Sequence, residues 1–162
     1  MRYTQHTADY FDALFEQNAD PWQFKSRWYE TRKRALTLAC LPQLHYASAY
    51  EPGCANGELS AALATRCDNL LVTDGARQAV AKSTARLVDF PHVRIQQAWV
   101  PLQWPQETFD LIVLSVFNDD EVHQCLSNTI KLPCLSQLLE PDMRLDVWSN
   151  DARSVAQREG FM

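Results

Sequence analysis

From residue 46 onward, short apolar segments alternate with helical segments, and this alternation constrains the fold more than any other feature of the chain. The clearest strand spans residues 109–115, Phe-Asp-Leu-Ile-Val-Leu-Ser, an almost continuous apolar run. Such a run is expected where both faces of a parallel sheet are covered. The pattern therefore predicts a doubly wound, mostly parallel α/β sheet with a ligand crevice at the carboxyl ends of its strands.

The remaining elements follow from the same pattern. Strands are predicted at residues 47–51, 70–74, 93–98, 109–115 and 144–148. Helices are predicted at residues 57–66, 77–88 and 121–132, with 135–139 as a continuation, and at 151–158. We expect one domain, in which residues 1–42 form a helical cover over a sheet built from residues 43–162.

Two helices are predicted within the cover. The first begins after Thr7 as N-cap and ends at Asp20-Pro21, because proline lacks an N–H and restricts the residue before it. The second is predicted at residues 24–40. Its apolar side is expected to comprise Trp28, Ala35, Leu36 and Ala39.

Composition narrows the class of protein. The 162 residues suffice for one hydrophobic core, and a charged fraction of 22% is ordinary for a globular chain. The net charge of −5 argues against a nucleic-acid partner, and no apolar run reaches the roughly 20 residues of a membrane span. The N-terminus lacks the pattern of a secretory signal. We expect a cytoplasmic protein that binds a small-molecule substrate, without nucleic acid or membrane partners.

Five cysteines occur without a C-x-x-C pair, and no four-ligand metal pattern is present in the sequence. Reduced thiols and no metal are therefore predicted.

Two of the four glycines lie in one strand-to-helix turn, Glu51-Pro-Gly-Cys-Ala-Asn-Gly57. Glycine permits a tight bend there and the close approach of a ligand. Asp74 ends the next predicted strand, where a carboxylate can accept both hydroxyls of a ribose. The alternatives are a purely structural turn and an ordinary Asp-Gly loop aspartate. Together the two features favour a nucleoside cofactor.

The turn favours S-adenosylmethionine over a dinucleotide. A dinucleotide fingerprint requires G-x-G-x-x-G, but Ala55 and Glu58 replace its second and third glycines. The Glu58 carboxylate would repel a diphosphate, whereas it suits a sulfonium cation. Glu51, at the strand end, could reach the methionine ammonium. An NAD(P)-linked oxidoreductase remains an alternative.

These segments resemble the nodulation protein S family of class I methyltransferases. The resemblance covers about residues 8–116 and is carried by Asp-Pro-Trp-Gln-Phe-Lys-Ser-Arg-Trp-Tyr-Glu at 20–30, Thr-Arg-Lys-Arg-Ala-Leu-Thr-Leu-Ala at 31–39, Glu-Pro-Gly-Cys at 51–54, Gly-Glu-Leu at 57–59, Trp-Pro at 104–105 and the strand at 109–115. The glycine turn is common to most class I methyltransferases. The Asp-Pro-Trp and Arg-Trp-Tyr-Glu segments are more specific to this family.

The resemblance implies a Rossmann-like sheet, S-adenosylmethionine as cofactor and a binding site under the cover. Arg32 is a candidate partner for the methionine carboxylate, and simple packing of the cover aromatics is the alternative. The implied cofactor residues are Glu51, Gly53, Cys54, Ala55, Gly57, Asp74, Gly75, Gln97, Ala98, Trp99, Ser115, Trp22, Arg27, Tyr29 and Arg32.

Three departures from the family pattern bear on activity. Trp99 stands where an aspartate is expected to bind the adenine amino group, so its indole either stacks on the base or fills its pocket. Val116 follows Ser115 where the family tends to have glutamate. The last two strands of a seven-stranded sheet would be absent, leaving an edge that a second copy of the chain could cover as a homodimer. The candidate bases are Asp119, Asp120, Glu121 and His123.

The sequence therefore predicts a methyltransferase acting on a small polar acceptor, with an amine on a sugar as the narrower hypothesis. The first alternative is a vestigial, cofactor-binding domain without turnover.

Overall fold

The computed structural model describes residues 5–18, 20–21, 23–115, 134–140 and 143–149. In chain order, its elements are α1 (Gln5–Gln17), α2 (Trp28–Ala39), β1 (Tyr46–Pro52), α3 (Glu58–Ala64), β2 (Cys67–Asp74), α4 (Arg77–Arg86), β3 (Val93–Gln97), β4 (Leu111–Leu114), β5 (Cys134–Glu140) and β6 (Met143–Ser149). No helix in the described ranges has the length and apolar character that crossing a membrane requires.

The six strands form one sheet in the order β3-β2-β1-β4-β6-β5. β1 pairs in parallel with β2 and with β4, and β2 pairs in parallel with β3. Helices α3 and α4 connect β1 to β2 and β2 to β3. The strand order reverses between β1 and β4, and ligands of such sheets bind in the crevice at this reversal.

The far edge of the sheet differs from the sequence prediction. Residues 135–139 belong to strand β5, which pairs antiparallel with β6, and are not a helix. Their leucines recur at a spacing that fits a helix. However, β6 begins only two residues after β5 ends, and the two strands pair as a hairpin. β6, predicted as a strand, pairs antiparallel with β4. The sheet therefore has six described strands where the sequence pattern predicted five.

Apolar side chains cover both faces of the central strands. Leu70 and Val72 of β2 join one core cluster, whereas Leu71 between them joins another. Val113 and Leu114 of β4 divide in the same way, and both are fully buried. This explains the near-continuous apolar run, because successive strand residues face opposite sides of a sheet.

The cover departs from the sequence prediction at both helices. Thr7 lies inside α1, which begins at Gln5, so Thr7 is not the N-cap. Helix α2 begins at Trp28 rather than residue 24, because the Asp20 carboxylate accepts the backbone N–H groups of Phe24 and Lys25 (2.8 and 2.9 Å) and holds that stretch in a turn.

Three of the four residues predicted on the apolar side of α2 face outward, and the fourth, Leu36, is half-buried. Trp28, Ala35 and Ala39 are exposed, whereas Thr37 is buried and its hydroxyl donates to the Lys33 carbonyl (2.8 Å). Leu38 packs against the hydrophobic core, so the inward side of α2 carries both polar and apolar side chains.

Candidate functional site

The turn between β1 and α3 contains three residues with left-handed backbone conformations. Gly53, Ala55 and Gly57 have φ angles of 74°, 50° and 82°. The N–H groups of Gly53 and Cys54 both donate to the Thr73 carbonyl (2.7 and 3.0 Å), which ties the turn to the end of β2. Ala55 adopts a conformation that costs an L-residue about 1–2 kcal/mol. The turn thus keeps a glycine-like path where glycine is absent.

Asp74 connects this turn to the next one. Its Oδ2 accepts the Ala55 N–H and its Oδ1 accepts the Ala76 N–H, both at 2.9 Å. Burial raises the pKa of Asp74, while these backbone hydrogen bonds oppose that rise. The Gly75 backbone also hydrogen-bonds to this carboxylate, and since a carboxylate has about four acceptor positions, it can still accept from a ligand hydroxyl.

Gly57 permits close packing of α3 against α4. A Cβ atom at Gly57 would lie 3.1 Å from the Ser83 Cβ and 3.2 Å from the Ser83 Cα. We expect Gly57→Ala to lower the free energy of unfolding by about 1–3 kcal/mol, through overpacking and the left-handed φ. Urea titration measures this change. Combining it with Ser83→Gly should restore part of the loss, and a fully stable single variant would contradict the packing role.

Glu51 is buried at the end of β1, with 1% of its surface exposed. Its Oε2 accepts a hydrogen bond from the Ser60 hydroxyl at 2.6 Å, whereas its Oε1 has no hydrogen-bond partner among the described residues. Burial is the main cause that raises the pKa of Glu51 to about 8, and the Asp74 charge adds to it. An unsatisfied carboxylate oxygen in the interior is costly unless a cationic or hydrogen-bonding group meets it.

Glu51 lines a cleft between α2 and the β1–α3 turn, which we call the α2 cleft. Its volume is about 370 Å³, including space open to solvent. Two cations, Lys33 and Arg34, face the same cleft as Glu51. Burial lowers the pKa of Lys33, although the nearby Glu30 opposes the shift. The other lining residues are Phe24, Glu30, Thr37, Cys54, Ala55, Asn56, Glu58, Leu59 and Ser115.

Opposite charges within one small cleft suit a zwitterion. An α-amino acid carries an ammonium, which a carboxylate binds, and a carboxylate, which lysine and arginine bind. The α2 cleft offers Glu51 for the first and Lys33 and Arg34 for the second. The arrangement therefore fits the amino-acid end of a ligand such as S-adenosylmethionine.

The Asp-Pro-Trp segment joins the cover to the glycine turn. Asp20 Oδ1 accepts a hydrogen bond from the Asn56 side-chain amide at 3.1 Å, in addition to its two backbone bonds within the cover. Asp12 of α1 accepts the Gln78 N–H at the start of α4 (2.8 Å). These bonds explain why a segment far from the turn in sequence belongs to the same site.

A second group of predicted residues lies beside the α2 cleft, at the ends of β2 and β3. Gln97 donates its side-chain amide to the Gly75 carbonyl, and the Ala98 N–H donates to the Asp74 carbonyl, both at 2.9 Å. The indole of Trp99 lies directly over Gly75, where a Cβ atom would meet it at 2.3 Å. Whether the indole stacks on a base or fills its pocket stays a prediction.

Glu58 is less able to repel an anionic ligand than its place in the sequence suggests. Its carboxylate pairs with the Arg86 guanidinium (3.0 Å), and only 14% of its side chain is exposed. The repulsion of a diphosphate by Glu58 is thereby weakened, and the preference for a cationic ligand rests instead on Glu51.

The structure brings Glu51, Cys54, Ala55 and Ser115 together in the α2 cleft. Within the described part of the chain, Arg27, Tyr29 and Arg32 are not among its lining residues. The Arg27 guanidinium instead lies 5.6 Å from the centre of the Tyr29 ring. Whether these residues contact a cofactor stays a prediction.

Helix geometry explains why Lys33 and Arg34, rather than Arg32, line the cleft. At about 3.6 residues per turn, Lys33 and Arg34 lie within a turn of Thr37 on one face, and Arg32 lies on the opposite face. Arg32 is exposed, as is Trp28 on the same side. The sequence contains three adjacent cationic residues, and the orientation of α2 determines which of them line the cleft.

Some predicted positions lie outside the described residues, so their placement is untested. They are Trp22, Asp119, Asp120, Glu121 and His123. Within the described ranges, no group of three histidine, cysteine or acidic side chains could hold a metal ion. Cys40, Cys54 and Cys67 are free thiols.

Comparison with solved structures identifies the class of protein. A putative methyltransferase from Pseudomonas syringae is 39% identical and has a TM-score of 0.62, over 76% of this chain and 99% of that one. The N-methyltransferase NodS from Bradyrhizobium japonicum WM9, in complex with S-adenosyl-L-homocysteine, superimposes with a TM-score of 0.72 at 18% identity, over 90% and 98%. The second likeness concerns the fold alone. The fold and the turn at the β1–β4 reversal define a class I methyltransferase domain.

The family follows from sequence. Residues 9–162 match the family model described as Nodulation protein S (NodS), so the chain belongs to this family. Nodulation protein S of Rhizobium tropici is 32% identical over 97 residues, and that of Bradyrhizobium diazoefficiens is 28% identical over 151 residues. These matches cover 59% and 87% of this chain, but only 41% and 67% of the relatives. The predicted fold class and the family resemblance are confirmed.

Proposed function

We propose that this chain is an S-adenosylmethionine-dependent methyltransferase whose α2 cleft holds the methionine end of the cofactor. The observation that carries the proposal is the buried Oε1 of Glu51, which has no partner within the described residues, in a side chain that lines a cleft together with Lys33 and Arg34. The structure of the B. japonicum relative contains S-adenosyl-L-homocysteine, the compound that the predicted methyl donor becomes when it loses its methyl group, and this supports the proposal.

The residues of the chain would divide the work of binding. Glu51 would accept hydrogen bonds from the α-ammonium, and Lys33 and Arg34 would bind the α-carboxylate. Asp74 would accept hydrogen bonds from the ribose hydroxyls at the acceptor positions that its backbone donors leave free. The bound cofactor would supply a methyl group on a sulfonium, which departs by in-line displacement. What the protein adds is alignment and exclusion of water, because methyl transfer needs little else.

We further propose that the acceptor is a small polar molecule bearing an amine on a sugar. The B. japonicum relative is an N-methyltransferase. An ammonium cannot attack until it loses a proton, so a base within hydrogen-bond reach would speed the reaction. Asp119, Asp120, Glu121 and His123 remain the candidates.

Thermal unfolding with S-adenosyl-L-homocysteine, followed by transfer of labelled methyl groups to amino-sugar oligosaccharides, tests this function. A ligand at 100 times its Kd stabilises a protein by about 2.7 kcal/mol. For a chain of this size we therefore expect a rise in Tm of roughly 5–10 °C. NAD should give none. Absence of any shift with the homocysteine product would contradict the proposal.

A vestigial domain is the second candidate, and the position of Trp99 over Gly75 favours it. It predicts cofactor binding without methyl transfer. Labelled product from any amino-sugar acceptor would exclude it.

A further inference from the structure

Trp99 contacts Gly75 with the face of its indole, beside the carboxylate of Asp74. A Cβ atom at Gly75 would lie 2.3 Å from both Cδ2 and Cε2, the two atoms shared by the indole rings, and 2.5 Å from Cε3. Equal distances to the two shared atoms place the direction from Cα to Cβ at the middle of the ring system. The contact therefore requires a residue without a Cβ atom at position 75.

The backbone of Gly75 is held in place independently of the indole. The Gly75 carbonyl accepts the Gln97 side-chain amide, and the carbonyl of the preceding Asp74 accepts the Ala98 N–H, both at 2.9 Å. On the other side, the Asp74 carboxylate accepts the Ala76 N–H at 2.9 Å. Removal of the indole would thus leave a flat glycine surface next to the proposed ribose carboxylate.

The backbone that carries Trp99 is also fixed. The Trp99 N–H donates to the Gln103 side-chain carbonyl, and the Gln103 N–H donates to the Trp99 carbonyl, both at 2.8 Å. Val100, which follows Trp99, is buried. Displacement of the indole from Gly75 would therefore involve its own side-chain torsions rather than the loop backbone.

We infer that the face of Gly75 is a subsite for a flat, fused bicyclic ring, and that Trp99 fills it until the purine of a nucleoside cofactor displaces the indole. Indole and purine are both flat bicycles that pack by their faces. The purine is attached to the sugar that Asp74 would hold, so it reaches this surface. The inference rests on the proposed function and makes Trp99 the residue that sets cofactor affinity.

Calorimetric titration with S-adenosyl-L-homocysteine tests the displacement. We expect Trp99→Ala and Trp99→Leu to bind it about tenfold more tightly than the parent chain, because neither variant presents a competing bicycle. Adenosine should show the same gain, whereas free methionine should show none. Trp28→Ala is the matched control, since Trp28 is 74% exposed on the α2 face opposite the cleft, and should leave the affinity unchanged.

Each outcome decides the inference. Weaker or equal binding of S-adenosyl-L-homocysteine by both folded Trp99 variants overturns it, and weaker binding shows that the indole stacks on the base. If the parent chain binds and the variants gain nothing, only this inference fails. If neither the parent chain nor the variants bind, the proposed function fails with it. Circular dichroism confirms that the variants are folded, and the leucine variant retains apolar bulk if alanine unfolds the loop.

Discussion

Glu51→Gln is expected to weaken binding of S-adenosyl-L-homocysteine while raising thermal stability at pH 8.5. The loss of affinity should be roughly tenfold to hundredfold, because a buried hydrogen bond to a charged group contributes about 1.5–3 kcal/mol. In the same variant, Tm at pH 8.5 should rise by roughly 2–4 °C for each kcal/mol by which the ionised Glu51 destabilises the fold. Calorimetric titration and thermal unfolding measure the two effects.

The direction of the pH dependence follows from the raised pKa. Burial raises the pKa of Glu51 from an ordinary 4.5 to about 8, so between these values the folded chain binds a proton that the unfolded chain has lost. The stability that protonated Glu51 contributes is therefore fully present below pH 4.5 and is lost as the pH rises through about 8. Glutamine cannot ionise, so the advantage of the variant should grow over this interval.

Asp89→Asn is the matched control for Glu51→Gln. It removes an exposed carboxylate outside the α2 cleft, so the affinity for the ligand should not change. If the Glu51→Gln protein binds the ligand as tightly as the parent chain does, the proposed role of Glu51 in binding the cofactor is contradicted.

Asp74→Ala should lower the free energy of unfolding by about 2 kcal/mol, because it leaves the N–H groups of Ala55 and Ala76 without their acceptor. For a chain of this size, the change corresponds to a loss of roughly 4–8 °C in Tm. The ionised carboxylate is itself buried at a cost, as its raised pKa shows, so the deficit should be largest at low pH and should shrink as the pH rises through the pKa of Asp74. Thermal unfolding across a series of pH values measures this trend.

Asp68→Ala provides the comparison for Asp74→Ala. Asp68 pairs with His45 at 2.9 Å, but both side chains are more than half exposed, and exposed pairs contribute little. Its loss should change stability by less than about 0.5 kcal/mol. If the two variants lost equal amounts of stability, the role of Asp74 in connecting the two turns by hydrogen bonds would be contradicted.

Local patterns predicted the parallel part of the fold well. The strand predicted at residues 109–115 is present as the shorter β4 (Leu111–Leu114), and the glycine turn lies where it was predicted, because both have a clear local signal in the sequence. Residues 135–139 were misjudged because a helical spacing of leucines competes with a nearby strand partner. The homodimer that a truncated sheet edge suggested stays a prediction.

The candidate site depends more than the parallel strands do on contacts between residues that are far apart in the sequence. Sequence identified the turn and Asp74, but Asp20 reaches Asn56 across 36 positions, and no local pattern reveals that bond. The sequence could not show that Lys33 and Arg34 line the α2 cleft, because this depends on how α2 is rotated against the sheet. The two hypotheses for Trp99 stayed open in the sequence, since only the fold places its indole on Gly75.

The central claim is that the buried carboxylate of Glu51 receives the cofactor's ammonium. Since Glu51 has a pKa of about 8, it is mostly protonated at pH 6.5 and must release its proton to pair with that ammonium. Calorimetric titration of S-adenosyl-L-homocysteine at pH 6.5, in buffers of different ionisation enthalpy, counts the protons released. We predict net release by the parent chain and none by Glu51→Gln. Binding with identical proton exchange in both proteins would contradict the claim.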